Sequence, residues 1–291
     1  MKQSKSFYKI LVTVLLALAF GIFVLAFGAL LLGCGNGATN TGPGKTGESY
    51  IAFTKADAFN LRQVITADSA VSRTIMWQSE PENKDAFVEY RLVKEEDTST
   101  VKEKNRTQTA GNEGKVPTEK KSTAAVMQTQ KEQLNDKFTD NGKTTYVHTV
   151  TLQNLQPGTE YEYRLGYADR RSQWYRLNTA QAHDSYKALI FPDSQSAKYK
   201  AWEDVAMPAW QRNRDARFFI SMGDLVDNGE HAYQWNEWFT RIGPMITRIP
   251  AVPVLGNHET YTMDWKVRMP QAYLQYFQLP GGVPEPYKNQ F

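Results

Sequence analysis

Three apolar runs, each ending in a turn that carries a metal-competent side chain, constrain this chain more than any other feature. The first is Ala188-Leu189-Ile190-Phe191-Pro192-Asp193, and the second is Phe218-Phe219-Ile220-Ser221-Met222-Gly223-Asp224. The third is Val252-Pro253-Val254-Leu255-Gly256-Asn257-His258-Glu259. Their polar ends fall roughly 30 residues apart, the length of one βαβ unit. Helix-compatible stretches at 201–214 and at the Trp-rich 233–241 separate them, which predicts parallel strands joined by helices. Ligands collect outside the carboxyl ends of strands in such sheets, so Asp193, Asp224 and Asn257 are predicted to meet there. Residues 270–277 read as one more short helix.

Residues 51–181 follow a different grammar. Ile75 and Trp77 share one face of 74–78, Val88, Tyr90 and Leu92 alternate over 87–92, and 146–152 alternates likewise. Tyr161, Tyr163, Leu165 and Tyr167 line one side of another segment. Period-two alternation between turns predicts half-buried strands of a β-sandwich. The turn Leu155-Gln156-Pro157-Gly158-Thr159-Glu160-Tyr161 resembles a tyrosine corner, which predicts a buried Tyr161 hydroxyl bonded to the turn backbone. Residues 95–142 interrupt this pattern with Lys, Glu, Thr, Gln and Asn, and are predicted to be a long mobile excursion between two strands.

The N-terminal end reads as an export segment. Residues 10–32 are uncharged and follow Lys2, Lys5 and Lys9, a run long enough to span a bilayer. Lysines on that side predict that the remainder is exported. Cys34 follows Leu31-Leu32-Gly33, which resembles the lipobox of bacterial lipoproteins. Three readings stand open: a lipidated Cys34 after a cleaved signal at 1–34, an uncleaved membrane anchor, or a cysteine that merely follows an anchor. All place the rest of the chain at the cell surface or beyond it. Residues 35–50 read as a Gly-, Asn- and Thr-rich tether. Cys34 is the only cysteine, so no intrachain disulfide can form. A net charge of +3 is too weak a bias to indicate nucleic acid.

The order Asp193, Gly223-Asp224-x-x-Asp227, Gly256-Asn257-His258-Glu259 resembles the calcineurin-like metallophosphoesterase superfamily. The preceding sandwich with its Leu-x-Pro-Gly-Thr-x-Tyr corner is similar to the N-terminal domain of purple acid phosphatases. The resemblance covers 51–291. It implies an N-terminal all-β sandwich of fibronectin III or immunoglobulin kind over 51–181, then an α/β metallophosphoesterase domain over 186–291. It also implies two metal ions, of iron, manganese or zinc, with Asp193 on the first and Asp224 bridging both. Asn257 would bind the second through its amide oxygen, and His258 would stand beside the leaving group. The implied substrate is a phosphomonoester or phosphodiester, attacked by a hydroxide that the two metals activate.

Three departures matter. Asp227 stands where purple acid phosphatases carry the tyrosine that ligates ferric iron, so a purple centre is not expected. Gln195 stands where many members carry a histidine, and is expected as a weak ligand or a holder of water. No histidine follows His258, although the family takes two or three more ligands from later loops. The chain is therefore expected to be an N-terminal portion, inactive by itself. The competing reading is a cell-surface binding or adhesion module that keeps an inactive phosphoesterase remnant. His183 and His231 lie outside the motifs and are expected at the surface, with His148 half-buried on a sandwich strand.

Overall fold

The computed structural model of the protein describes residues 50–280, apart from 81, 84, 94–124, 129, 135–143 and 182–184. The apolar run at 10–32, Cys34, the tether and His183 lie outside the described residues. Among the described residues no helix is long and apolar enough to cross a membrane.

In chain order the strands are β1 (Ile51–Ala52), β2 (Phe59–Val64), β3 (Arg73–Ser79), β4 (Phe87–Leu92) and β5 (Ala125–Gln128). They continue as β6 (Gln130–Leu134), β7 (Thr145–Leu152), β8 (Glu160–Tyr167), β9 (Arg170–Arg171) and β10 (Tyr175–Asn178). Helix α1 (Lys200–Arg212) joins β11 (Lys187–Phe191) to β12 (Ala216–Met222). Helices α2 (Ala232–Arg241) and α3 (Gly243–Ile246) lead to β13 (Ala251–Val254), and α4 (Gln271–Tyr276) follows.

One sheet has the order β1-β9-β8-β4-β5, with β10 paired to β8. The other has the order β11-β12-β13-β2-β3-β7-β6. That second sheet crosses the boundary where the sequence grammar changes. Strands β11, β12, β13 and β2 pair in parallel, and pairing is antiparallel from β2 onward. The join is narrow: Ala251 sits opposite Val64, and the Ile65 N–H donates to the Ala251 carbonyl at 3.0 Å. The sandwich is therefore not an isolated all-β unit of fibronectin type III kind.

This continuity overturns the expectation of a half-buried strand at β3, whereas β8 alternates as expected. All seven residues of β3 are buried. Ile75, Trp77 and Val150 pack with Leu165 and Tyr163 inside the sandwich. Val64, Met76 and Val147 point the other way, into a core shared with Trp202, Phe219, Trp235 and Trp238. His148, opposite Trp77 on the sandwich face of β7, is fully buried rather than half-buried, stacked on Trp77 at 4.9 Å with its Nε2 2.8 Å from the Ser79 hydroxyl. The tyrosine corner forms as expected: Tyr161 is buried, and its hydroxyl oxygen accepts the Gln156 N–H at 2.8 Å.

A second correction concerns the polar excursion. Strands β5 and β6 lie within it and pair antiparallel with β4 and β7, one at the edge of each sheet. An open sheet edge offers a row of backbone donors and acceptors, so a strand can add there without an apolar sequence. The remainder of the excursion lies outside the described residues.

Polar groups also cross between the two halves. Arg62, fully buried on β2, donates from Nε to the Tyr276 carbonyl at 2.6 Å and lies over the Phe239 ring. Burial pulls its guanidinium down to about 9, so it remains a cation at neutral pH. Gln63 donates to the Thr247 carbonyl at 2.7 Å, and the Tyr163 hydroxyl donates to the same carbonyl at 3.0 Å.

Over β11–β13 the helices cover one face. Trp202 and Trp210 on α1 and Trp238 on α2 pack against Phe191 and Phe219. The opposite face is apolar and open, with Ile190 57% exposed, Met222 55% and Val254 41%.

Candidate metal centre

The candidate site sits at the carboxyl ends of β11, β12 and β13, as the strand grammar predicts. Two hydrogen bonds sew the three loops together. The Gln195 N–H donates to the Asp224 carbonyl at 2.9 Å, and the His258 N–H donates to Asp224 Oδ1 at 2.9 Å. Asp224 is thus the centre of the arrangement, flanked by the Asp193 loop on one side and the Asn257 loop on the other.

The glycines before Asp224 and Asn257 have a steric purpose. Gly223 has φ +79°, and a Cβ there would lie 2.9 Å from the Gly256 Cα. A Cβ on Gly256 would lie 2.2 Å from Asp224 Oδ1 and 2.3 Å from its backbone nitrogen. No side chain fits between these loops. Asp193 and Asp224 themselves adopt positive φ, 46° and 49°, a region that carboxylates and amides tolerate better than other residues. Unfavourable backbone of this kind clusters at functional sites.

Glu259 holds the loops from beneath, a role the motif reading passed over. Its buried carboxylate accepts N–H groups from Asp224 at 3.0 Å, Leu225 at 2.7 Å, Val226 at 3.2 Å and Gly256 at 2.8 Å. Burial pushes its carboxyl above the usual range, the backbone donors pull it back, and the nearby Asp224 charge adds to the rise.

The Trp-rich α2 braces the same loops. Trp238 Nε1 donates to the Ser194 hydroxyl at 2.9 Å, and Ser194 donates onward to the Leu225 carbonyl at 3.2 Å. Trp235 Nε1 donates to the Gly229 carbonyl at 3.0 Å, and Gln234 accepts the Asn228 N–H at 2.9 Å. His231 occupies the N-cap position of this helix without a side-chain cap bond, and is half-buried rather than exposed.

His258 is half-buried, with Nδ1 2.7 Å from the Asp227 carbonyl and 3.6 Å from its carboxylate. A carbonyl only accepts, so Nδ1 carries a proton and Nε2 is left to meet a substrate. Asp227 therefore stands beside His258 as a partner of the imidazole. Asn257 is exposed; its Nδ2 donates to the Tyr261 hydroxyl at 3.1 Å, which leaves its amide oxygen open as a ligand.

The residues fit hard cations. Asp193 is exposed, Asp224 keeps Oδ2 open, Asn257 presents an amide oxygen, and all three are oxygen donors. The Gln195 Oε1 adds an observation of its own, being buried without a hydrogen-bond partner among the described residues. Among the described residues no three His, Cys, Asp or Glu side chains gather in a metal-binding group.

Comparison with known proteins gives the class. A family model for the calcineurin-like phosphoesterase matches residues 183–290, and one for the purple acid phosphatase N-terminal domain matches 59–179. The chain thus carries a purple acid phosphatase N-terminal domain followed by a calcineurin-like phosphoesterase domain. That family implies divalent or transition metal ions. Acid phosphatase type 7 of Mus musculus and of Homo sapiens are each 30% identical over 129 residues, 42% of this chain. The matched segment spans 29% of the length of those curated relatives. A solved purple acid phosphatase from yellow lupin seeds shares the fold, with a TM-score of 0.59 and 17% identity. That match takes in 78% of this chain and 42% of the lupin chain.

Proposed function

We propose that the protein is an exported, metal-dependent phosphoesterase, tethered through its N-terminal segment and acting on phosphomonoesters or phosphodiesters. The observation that carries the reading is the sewing of the Asp193, Asp224 and Asn257 loops around Asp224, with His258 bonded into the same cluster. Asp193 would hold a first ion, Asp224 would be shared between two, and Asn257 would hold the second. Two such cations, of iron, manganese or zinc, lower the pKa of water and offset the charge of a phosphoryl group.

The chain's own residues then complete the chemistry. Glu259 fixes the loops, so the ligand oxygens need not be reorganised during turnover. The Asp227 carbonyl orients the imidazole of His258 through Nδ1. In its protonated form His258 gives its Nε2 proton to the leaving oxygen as the ester P–O bond breaks and the water oxygen bonds to phosphorus. The alcohol departs neutral, and the proton lost by water replaces the one given by His258.

The purified protein, given Mn²⁺, Fe²⁺ or Zn²⁺, is expected to bind inorganic phosphate only when metal is present. Release of 4-nitrophenol from its mono- or diester would show turnover directly. Asp224→Asn removes a charge that two cations would share and should abolish both behaviours. Phosphate binding that ignores metal, or that survives Asp224→Asn unchanged, removes the reading. The alternative of a surface-binding module beside an inactive remnant draws on the absence, among the described residues, of a three-residue His, Cys, Asp or Glu cluster. A metal titration separates the two, since the module should bind no metal at this edge.

A further inference from the structure

Resting on the phosphoesterase reading above, we propose that Tyr261 and Trp265 form an aromatic wall beside His258 that selects esters with an aryl leaving group. The wall is a short hairpin. Tyr261 and Val267 form an antiparallel bridge, the Thr262 N–H donates to the Lys266 carbonyl at 2.8 Å, and the Trp265 N–H donates to the Thr262 carbonyl at 2.8 Å. The tip is held in register with the metal loops. Asn228, next to Asp227, donates from Nδ2 to the Thr262 carbonyl at 2.7 Å. Glu230 accepts the Met263 N–H at 2.9 Å and pairs with Arg268.

Trp265 is costly to place here. Its φ is +62°, a region unfavourable to a bulky residue, and the side chain is 57% exposed. It therefore gains little from core burial to offset that cost. What it gains is proximity to the reacting histidine. The His258 and Tyr261 rings lie 5.2 Å apart, Tyr261 and Trp265 lie 5.6 Å apart, and Trp265 meets His258 at 6.4 Å, nearly perpendicular. Three rings close a triangle, and the indole is more than half exposed.

The wall offers no cation of its own to a phosphate. Both bases of the hairpin are paired, Lys266 with Asp264 and Arg268 with Glu230. An apolar, planar surface recognises the organic part of an ester, and His258 marks the side from which that part leaves. A ring bonded to the leaving oxygen would fall within the 4.5–7 Å range at which aromatic rings attract one another.

The test uses the full chain loaded with metal and three probes that cannot be hydrolysed: phenylphosphonate, methylphosphonate and inorganic phosphate. Calorimetry should show phenylphosphonate binding about threefold to tenfold tighter than methylphosphonate, the range a ring contact supplies. Trp265→Ala should bring the two to parity while phosphate affinity stays unchanged. Trp265→Asn, which suits the positive φ, should do the same, and Trp265→Phe should keep most of the preference. An unchanged phenyl-to-methyl ratio in Trp265→Ala and Trp265→Asn, or no preference in the parent protein, overturns the wall. Failure of inorganic phosphate to bind in the presence of metal overturns the phosphoesterase reading and the wall with it. Phosphate binding without phenyl preference overturns the wall alone.

Discussion

The two ends of the seven-stranded sheet are covered differently. Toward the sandwich, β2, β3 and β7 are packed on both faces, with Ile75 and Trp77 in one core and Met76 and Val147 in the other. Toward the metal loops, β11, β12 and β13 lie under α1 and α2 on one side and expose Ile190, Met222 and Val254 on the other. Parallel strands are ordinarily buried on both faces and read as continuous apolar runs. The site end has that sequence without that cover. An apolar run thus reports the environment a strand is built for, and its neighbours decide whether the environment is supplied.

The sharpest test of that contrast asks whether chemistry at the loop edge can be lost without disturbing the sheet. In a metal-loaded form that turns over ester, His258→Ala should lower turnover by roughly 10²–10⁴, the usual contribution of a general acid, while bound metal stays near the parent level. The loss should be greater for alkyl than for aryl phosphates, whose leaving groups need less help from a proton. An equal loss on both would mean that His258 only positions the phosphate.

Glu259→Ala should be the most destabilising change at the site end. Four backbone donors would be left without their buried acceptor, at about 1 kcal/mol or more for each, so a total near 4 kcal/mol is expected in urea unfolding. Glu259→Gln keeps an acceptor oxygen and should lose less. Hydrogen exchange should quicken first in the loops after β12 and β13, with β3 and β7 amides still protected. Equal loss of protection at both ends would dissolve the distinction between them.

Matched substitutions on the two ends probe the cover itself. Ile75→Ala, in the doubly packed region, should cost about 3 kcal/mol, within the range for emptying a core position. Met222→Ser or Ile190→Ser, on the open face, should stay within about 0.5 kcal/mol and reduce binding of an apolar dye. A large loss from Met222→Ser would show that the face is covered in solution.

Much of this architecture was legible from residue order. The strands at 87–92 and 187–191 fall where alternation and apolar runs place them, and the Tyr161 corner closes as its motif implies. The glycines at 223 and 256 flagged the ligand loops because only glycine allows two backbones that close. Glu259 was harder to see, since nothing local distinguishes a surface glutamate from one that gathers donors belonging to residues more than 30 positions away. The strands at 125–134 were hidden by polar composition, because edge pairing depends on backbone groups that composition does not report.

Sequence alone determined the local periods, the turns and the order in which the candidate site residues arrive, because each depends on neighbours within one strand or one loop. Only the tertiary structure decided that β2 pairs with β13, that His148 and all of β3 are buried, and that Arg62 is enclosed between the halves. Burial of the second face of β3 and of Arg62 follows from the pairing of β13 with β2, Ala251 opposite Val64, together with the shared core and the bonds from Arg62 and Gln63. Burial on the second face of a strand is set by whatever chain arrives to cover it, and no period within the strand encodes that arrival.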